Sequence, residues 1–183
     1  MKLIGIDQWQ LGVPSAQHFE ADIAAQKGRV CEVDANIAAY CALSDTPSTF
    51  YPQVAGRGWT YPEAPYIQVN RLAVHQNYAR QGLAGKLLGF ALAEAQRRNH
   101  QQLLETGNSS LTAPWHVRLD THPGNIRMHR LLENLGFTCA GTVNYPMPGE
   151  TTRFCYEGFP SFEALPLEVL DLTAPATAEL LAK

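Results

Sequence analysis

The segment from Ile67 to Phe90, IQVNRLAVHQNYARQGLAGKLLGF, constrains the fold more than any other part of the chain. Apolar residues crowd together over 67–74, which is typical of a buried strand, and they return at helical spacing from Leu83 onward. The loop between them contains three small residues, Gly82, Ala84 and Gly85. A strand that runs through such a loop into a helix presents free backbone N–H groups at the positive end of the helix dipole. The junction therefore favours binding of a phosphate or pyrophosphate.

Two interpretations of this loop remain open from its own residues. Arg80 and Lys86 add positive charge, which supports an anion site. The loop lacks the third glycine of the dinucleotide-binding G-x-G-x-x-G motif, and no Gly-Lys-Ser/Thr follows it as in a P-loop. The alternative is a strand–turn–helix junction whose glycines only permit tight packing.

The composition limits the classes of protein to consider. A chain of 183 residues with 45% hydrophobic residues is long enough to form a single domain, 1–183, with a sizeable core. The formal net charge of −3 and the lack of a basic run argue against nucleic acid as a partner. The apolar runs are too short for a membrane span or a signal peptide, so no membrane contact is expected. The four cysteines have no C-x-x-C spacing, which favours buried free thiols in a reducing, cytoplasmic setting.

The remaining pattern predicts an α/β (α+β) fold with a mixed, mostly antiparallel central sheet flanked by helices. After a first helix capped by Ser15, the predicted order is strand, strand, strand, helix, strand, helix, strand, strand. The helix that begins at Leu83 is expected to end near Asn99. The long loop Ser44–Pro65 contains aromatic residues that could line a pocket or could pack the loop onto the domain, and both interpretations stay open.

A second block, Asp120–Asn125 (DTHPGN), lies where a strand ends and a helix begins, and that helix closes with Gly136-Phe137. Together with the segment 79–84 (ARQGLA), this block resembles the GNAT superfamily of acetyl-CoA-dependent N-acetyltransferases. The resemblance extends over roughly 5–159 and points to a group of small bacterial enzymes of unassigned substrate. It implies transfer of an acetyl group from acetyl-CoA to a primary amine of a small molecule, a peptide or a protein N-terminus.

The resemblance also implies a cofactor site made mainly of backbone groups. A bulge would turn the backbone of 72–74 toward the acetyl and pantetheine part of acetyl-CoA and would splay this strand from the one that ends at Asp120. The amides of 80–85 would hold the pyrophosphate, and Asn125 would hydrogen-bond the pantetheine. The full set of expected cofactor contacts is Leu72, Ala73, Val74, Arg80, Gln81, Gly82, Leu83, Ala84, Gly85, Lys86 and Asn125.

Two positions depart from the family pattern. Ala79 stands where members usually have Arg or Gln, which removes one side-chain contact that neighbouring Arg80 could replace. Leu132 stands where many members have a Tyr that protonates the leaving thiolate. Because of Leu132, a second hypothesis stays open, namely a catalytically idle acyl-CoA-binding sensor or interaction module.

An attacking ammonium must lose a proton, and we predict His122 as the base, with Asp120 as its partner or as a ligand of the substrate ammonium. Both side chains could instead only shape the turn before Asn125. The Val74 N–H is the expected donor to the oxyanion that develops on the thioester. The expected substrate contacts are Tyr66, Asn70 and Trp59. No i,i+4 pair of histidines occurs, and no metal is expected.

The C-terminal segment 165–183 has the pattern of a strand followed by a helix, with Thr173 as a candidate cap and Pro175 in the first turn. Members of the superfamily normally open with such a pair, and the main body, 1–160, lacks one at its start. We therefore expect a circular permutation in which 165–183 completes the sheet. Two alternatives remain open, an extra C-terminal element or completion of a neighbouring protomer in a homodimer.

Overall fold

The computed structural model describes residues 14–108, 110–146 and 152–161. Its helices and strands are α1 (Ala16–Ala24), β1 (Gly28–Val33), β2 (Asn36–Ser44), β3 (Tyr66–Val74), α2 (Leu83–Thr106), β4 (His116–Thr121), α3 (Ile126–Asn134), β5 (Thr138–Asn144) and β6 (Thr152–Gly158). The strands form one six-stranded sheet in the order β1-β2-β3-β4-β6-β5, in which only β3 and β4 run parallel. The predicted fold class is confirmed. The predicted permutation concerns 165–183, which lies outside the described residues.

The alternation of side chains along β3 and β4 gives the sheet two different faces. Ile67 and Val69 on β3 belong to the same buried cluster as Val117 and Leu119 on β4. This cluster includes the apolar side of α2, whose Leu87, Leu88 and Ala91 are fully buried. The intervening residues Tyr66, Gln68, Arg118 and Asp120 therefore face the opposite side, where the loop between β2 and β3 packs. The polar side chains of Gln68, Arg118 and Asp120 therefore lie together on this second face.

Strands β3 and β4 separate after a short parallel pairing. They pair only from Tyr66–Gln68 to His116–Arg118, although β3 continues to Val74. On its other side β3 contains one extra residue relative to β2, since Tyr40 pairs with Ala73 and Ala42 pairs with Asn70. Arg71 within this bulge has a positive φ of 54°. The bulge and the gap that follows leave the backbone of 69–74 without a strand partner on the β4 side.

Helix α2 is longer than the sequence pattern predicts, because it ends at Thr106 rather than near Asn99. Asn99 is buried, and its side chain binds both backbone groups of Trp115, with distances of 2.6 Å to the nitrogen and 2.9 Å to the oxygen. Asn99 therefore fastens the middle of the helix to the segment that leads into β4. The helix stops where Gly107 adopts a left-handed conformation.

Candidate active site

A cleft of about 530 Å³ opens where β3 ends and α2 begins, and helix α3 forms its opposite wall. Ligands of open α/β sheets commonly bind in such a crevice, outside the carboxyl ends of neighbouring parallel strands. All expected cofactor contacts line this cleft except Gln81 and Lys86. The cleft is further lined by Tyr78, Ala79, Arg127, Met128 and Leu131. The sequence pattern predicts Met128 and Leu131 only as part of the apolar face of a helix. Their helical spacing from Asn125 also indicates that they lie on the same side of the helix as Asn125 and hence line the cleft.

The loop into α2 presents a run of free amides to the cleft. The N–H of Ala79 bonds to Gln76 and the N–H of Lys86 bonds to Gly82, whereas within the described residues the N–H groups of 80–85 have no backbone acceptor. Gly82 has a φ of 74°, and a side chain at Gly85 would meet only Leu131. An anion can therefore approach these amides closely, as a pyrophosphate requires.

Asn125 caps helix α3 from inside the cleft. Its side-chain oxygen accepts from the Met128 N–H at 3.4 Å, and its amide nitrogen donates to the Thr121 hydroxyl at 3.1 Å. The side chain is buried and fixed by these two bonds. A primary amide has a second N–H and a second lone pair, so a further bond to a ligand remains available.

Asp120 is held between two tyrosines. Its Oδ1 accepts from the hydroxyl of Tyr51 at 3.0 Å and from the hydroxyl of Tyr145 at 2.9 Å. No hydrogen bond among the described residues involves Oδ2, so the two tyrosines fix one carboxylate oxygen and leave the other available to a ligand.

The surroundings of Asp120 set its proton affinity. Burial raises the pKa of Asp120 above its ordinary value, although both tyrosine hydroxyls and the charge of Arg153 act in the opposite direction. Burial also raises the pKa of Tyr51 and of Tyr145, so both hydroxyls stay protonated and remain donors. The sequence pattern leaves open whether Tyr51 lines a pocket or packs its loop, and it gives no signal for Tyr145, which lies at the start of the loop after β5.

A chain of side chains links Asp120 to β3 across the gap. The amide nitrogen of Gln68 donates to the Tyr51 hydroxyl at 3.4 Å and to the Asn70 side-chain oxygen at 3.1 Å. Asn70 and Asp120 each lie two residues beyond the last parallel pair of their strands. The expected substrate contact Asn70 therefore joins the same polar group as Asp120.

His122 occupies the turn after β4. Its side chain is buried, and its Nδ1 accepts from the Gly124 N–H at 3.0 Å. Its carbonyl accepts from the Asn125 N–H at 2.9 Å and from His129 Nε2 at 3.1 Å. The turn-shaping role is thus present, and a neutral imidazole in this arrangement carries its proton on Nε2. The Asp120 carboxylate accepts its hydrogen bonds from the hydroxyls of Tyr51 and Tyr145.

Tyr66 and Trp59 lie at a different cavity, of about 590 Å³, beneath the loop between β2 and β3. The Tyr66 hydroxyl accepts from the Ser48 N–H at 2.7 Å, and the Trp59 indole donates to the Tyr51 carbonyl at 3.0 Å. Tyr51 belongs to both places, because its side chain lines this cavity while its hydroxyl reaches Asp120. These two expected substrate contacts are therefore not brought to the cleft beside β3.

Leu132 is fully buried in the core under the cleft and offers no hydroxyl to a leaving group. Across residues 14–108, 110–146 and 152–161, no group of three His, Cys, Asp or Glu side chains could hold a metal ion. In the same ranges no helix is both long and apolar enough to cross a membrane.

The fold and the cleft together define a mixed sheet whose parallel strands splay apart beside a loop of free amides. The sequence matches the acetyltransferase (GNAT) family model over residues 7–137, which is more than half of the chain. The chain belongs to the acetyltransferase (GNAT) family. None of the curated proteins compared with it matches.

Solved structures of similar fold include several bacterial acetyltransferases. A GNAT family acetyltransferase from Streptococcus agalactiae is 26% identical with a TM-score of 0.64, covering 87% of this chain and 82% of that one. A putative acetyltransferase from Salmonella typhimurium, solved with its cofactor acetyl-CoA, is 17% identical with a TM-score of 0.55, covering 86% and 81%. The ribosomal-protein-S18-alanine N-acetyltransferase from Escherichia coli is 18% identical with a TM-score of 0.53, covering 90% of each chain.

Proposed function

We propose that this protein is an acetyl-CoA-dependent N-acetyltransferase that acetylates a primary amine of a small molecule, a peptide or a protein N-terminus by direct attack. The observation that carries the proposal is the cleft, in which the free amides of 80–85 adjoin the unpaired backbone of 72–74. The acetyl-CoA-bound relative from Salmonella typhimurium supports the choice of cosubstrate.

Each part of the cleft has a proposed role toward acetyl-CoA. The amides of 80–85 hold the pyrophosphate, with Arg80 and Lys86 adding charge. The backbone of 72–74 and the side chain of Asn125 hold the pantetheine and acetyl parts. Bound acetyl-CoA supplies the thioester carbonyl carbon that the amine attacks. The Val74 N–H stabilises the negative charge that develops on the carbonyl oxygen.

Asp120 is the better placed of the two proposed catalytic side chains. Its free Oδ2 can bind the ammonium and take its proton, while the Tyr51 and Tyr145 hydroxyls fix the other oxygen. His122 can act as the base only by giving up the bond from Gly124 to its Nδ1. A thiol pKa of about 8.5 makes the thiolate a tolerable leaving group. If it leaves without being protonated, the reaction needs no tyrosine as general acid at the position of Leu132.

The proposal is tested by incubating the protein with acetyl-CoA and a panel of small amines and peptides and measuring release of free thiol. Turnover with at least one class of amine, with acetylated product detected by mass spectrometry, is the expected result. Because Leu132 stands where many family members have a tyrosine, a catalytically idle acyl-CoA-binding module is the second candidate function. Saturable acetyl-CoA binding with no turnover across the panel would favour that candidate.

A further inference from the structure

The cavity beneath the loop between β2 and β3 contains a buried guanidinium. Arg118 is only 2% exposed, and its guanidinium lies 4.3 Å from the ring centre of Trp59 and 4.2 Å from that of Tyr66. Its Nε–H donates to His116 Nε2 at 2.9 Å, and its Nη2 donates to the Tyr61 carbonyl at 2.7 Å. Burial lowers the pKa of His116 to about 4, so this histidine is neutral at pH 7 and accepts the bond.

The guanidinium of Arg118 has more N–H groups than the described residues have acceptors for it. These acceptors are His116 Nε2, the carbonyls of Tyr61 and Pro62, and the side chain of Tyr66. Arg118 also lines the cavity. A buried charged donor without an acceptor is costly unless something binds it.

No carboxylate of the described residues forms an ion pair with Arg118. Glu157 lies opposite it on β6, but its oxygens bind Arg57 and Thr60. Asp45 and Glu63 also line the cavity, but both are exposed at its edge, and Asp45 pairs with Arg98 at 3.0 Å. The charge at the floor of the cavity is therefore positive.

We propose that this cavity binds the carboxylate of a small aromatic acid, with the Arg118 guanidinium as its donor. The volume of about 590 Å³ is in the range of small-molecule sites. Apart from the guanidinium, the lining is rich in rings that contact an aromatic body, namely Tyr51, Trp59, Tyr66, Pro47, Pro52 and Pro65. A carboxylate here receives a charge-assisted hydrogen bond from a buried guanidinium. This site is separate from the acetyl-CoA cleft and does not depend on the proposed reaction.

Titration of the wild-type protein with benzoate and with benzamide, followed by NMR, tests the proposal without any variant. The two probes have nearly the same shape, and only benzoate carries the charge. We expect benzoate to bind about tenfold or more tightly than benzamide, which corresponds to one hydrogen bond to a charged group. Equal affinity, or no binding of benzoate at millimolar concentration, would overturn the proposal.

Two variants then locate the site. Arg118→Gln should remove the preference for benzoate, whereas Arg98→Gln should keep it, since Arg98 stacks on Trp115 outside this cavity. Val54→Phe should fill part of the cavity and weaken benzoate binding without touching the guanidinium. A benzoate affinity unchanged in Val54→Phe would contradict the proposal even if Arg118→Gln fails to fold.

Discussion

Arg118 on β4 and Glu157 on β6 lie directly opposite each other in the antiparallel register, and both side chains are buried, yet they do not form an ion pair. Each instead binds the loop between β2 and β3. Arg118 donates to the carbonyl of Tyr61, and Glu157 accepts from the backbone and hydroxyl of Thr60. The same loop carries Tyr51, so this pair of charges holds in place the residue that contacts Asp120.

Replacing Glu157 with Gln should lower the free energy of unfolding by about 2–3 kcal/mol, because several bonds to a buried charge are weakened at once. Burial alone would raise the pKa of Glu157, but hydrogen bonds from Thr60 and Arg57 outweigh it and hold that pKa below its ordinary value. The stabilisation is therefore present above the unfolded pKa of about 4.3 and is lost as pH falls through the lower folded value. Urea unfolding at neutral and acid pH measures both effects.

Asp45→Asn is the matched control for Glu157→Gln. Asp45 also pairs with an arginine, but its side chain is 54% exposed. Exposed ion pairs contribute about 0–1 kcal/mol, so this variant should unfold almost as the wild type does. Equal losses in the two variants would show that burial of Glu157 does not matter.

Replacing Gly85 with Val should weaken acetyl-CoA binding about tenfold or more, since the added side chain enters the cleft beside the free amides. Gly89→Val, one turn further along α2, places the same side chain outside the cleft and serves as the control. Calorimetric titration of both variants with acetyl-CoA separates the effects. If the two variants bind acetyl-CoA with equal affinity, acetyl-CoA does not bind beside Gly85.

Asp120→Asn should reduce kcat/KM for the amine about a hundredfold or more, in line with the loss of a positioned general base. The asparagine oxygen can still accept from Tyr51 and Tyr145, so acetyl-CoA affinity and stability should change little. Tyr145→Phe should reduce kcat/KM less, because Tyr51 still holds Oδ1. If Asp120→Asn retains full activity, the carboxylate is not needed.

The acid side of the pH–rate profile distinguishes Asp120 from His122. A carboxylate accepts a proton only when it is ionised, and burial raises the pKa of Asp120. Activity should therefore fall as pH decreases through a value above the usual aspartate pKa of about 3.9. Tyr51, Tyr145 and Cys155 nearby all have raised pKa values, so none of these three groups titrates in this range. The charge of Arg153 acts on Asp120 in the direction opposite to burial.

In His122→Asn, activity should fall with decreasing pH over the same range as in the wild type. Any overall loss of activity in this variant should reflect only the disturbed turn after β4. Initial rates at saturating acetyl-CoA over a pH series provide the comparison. Disappearance of this fall in activity in His122→Asn, but not in Asp120→Asn, would make His122 the base.

The parts of the fold that could be predicted are those that local sequence determines. The junction at Gly82 and the cap at Asn125 are each specified by a few adjacent residues. The succession of strands and helices along the chain follows from which segments have alternating polarity and which have helical spacing. The sequence predicts too early an end for α2, because Asn99 and the polar residues after it are typical of a loop. The buried contact of Asn99 with Trp115 instead stabilises a continued helix.

The surroundings of Asp120 could not be predicted, because its partners come from distant parts of the chain. Tyr51 is 69 residues away and Tyr145 is 25 residues away, and neither belongs to a local motif. The same limit explains why Trp59 and Tyr66 were assigned to the substrate. Their position beside Arg118 depends on how the long loop folds back over the sheet.

The most direct test of the account is a single-turnover experiment with acetyl-CoA that carries an isotopic label in its acetyl group. Direct attack predicts that the label passes to the amine only when protein, acetyl-CoA and amine are all present, and that the protein itself is never labelled. Label that stays on bound acetyl-CoA with every amine, or label that accumulates on the protein before the amine is added, would contradict it.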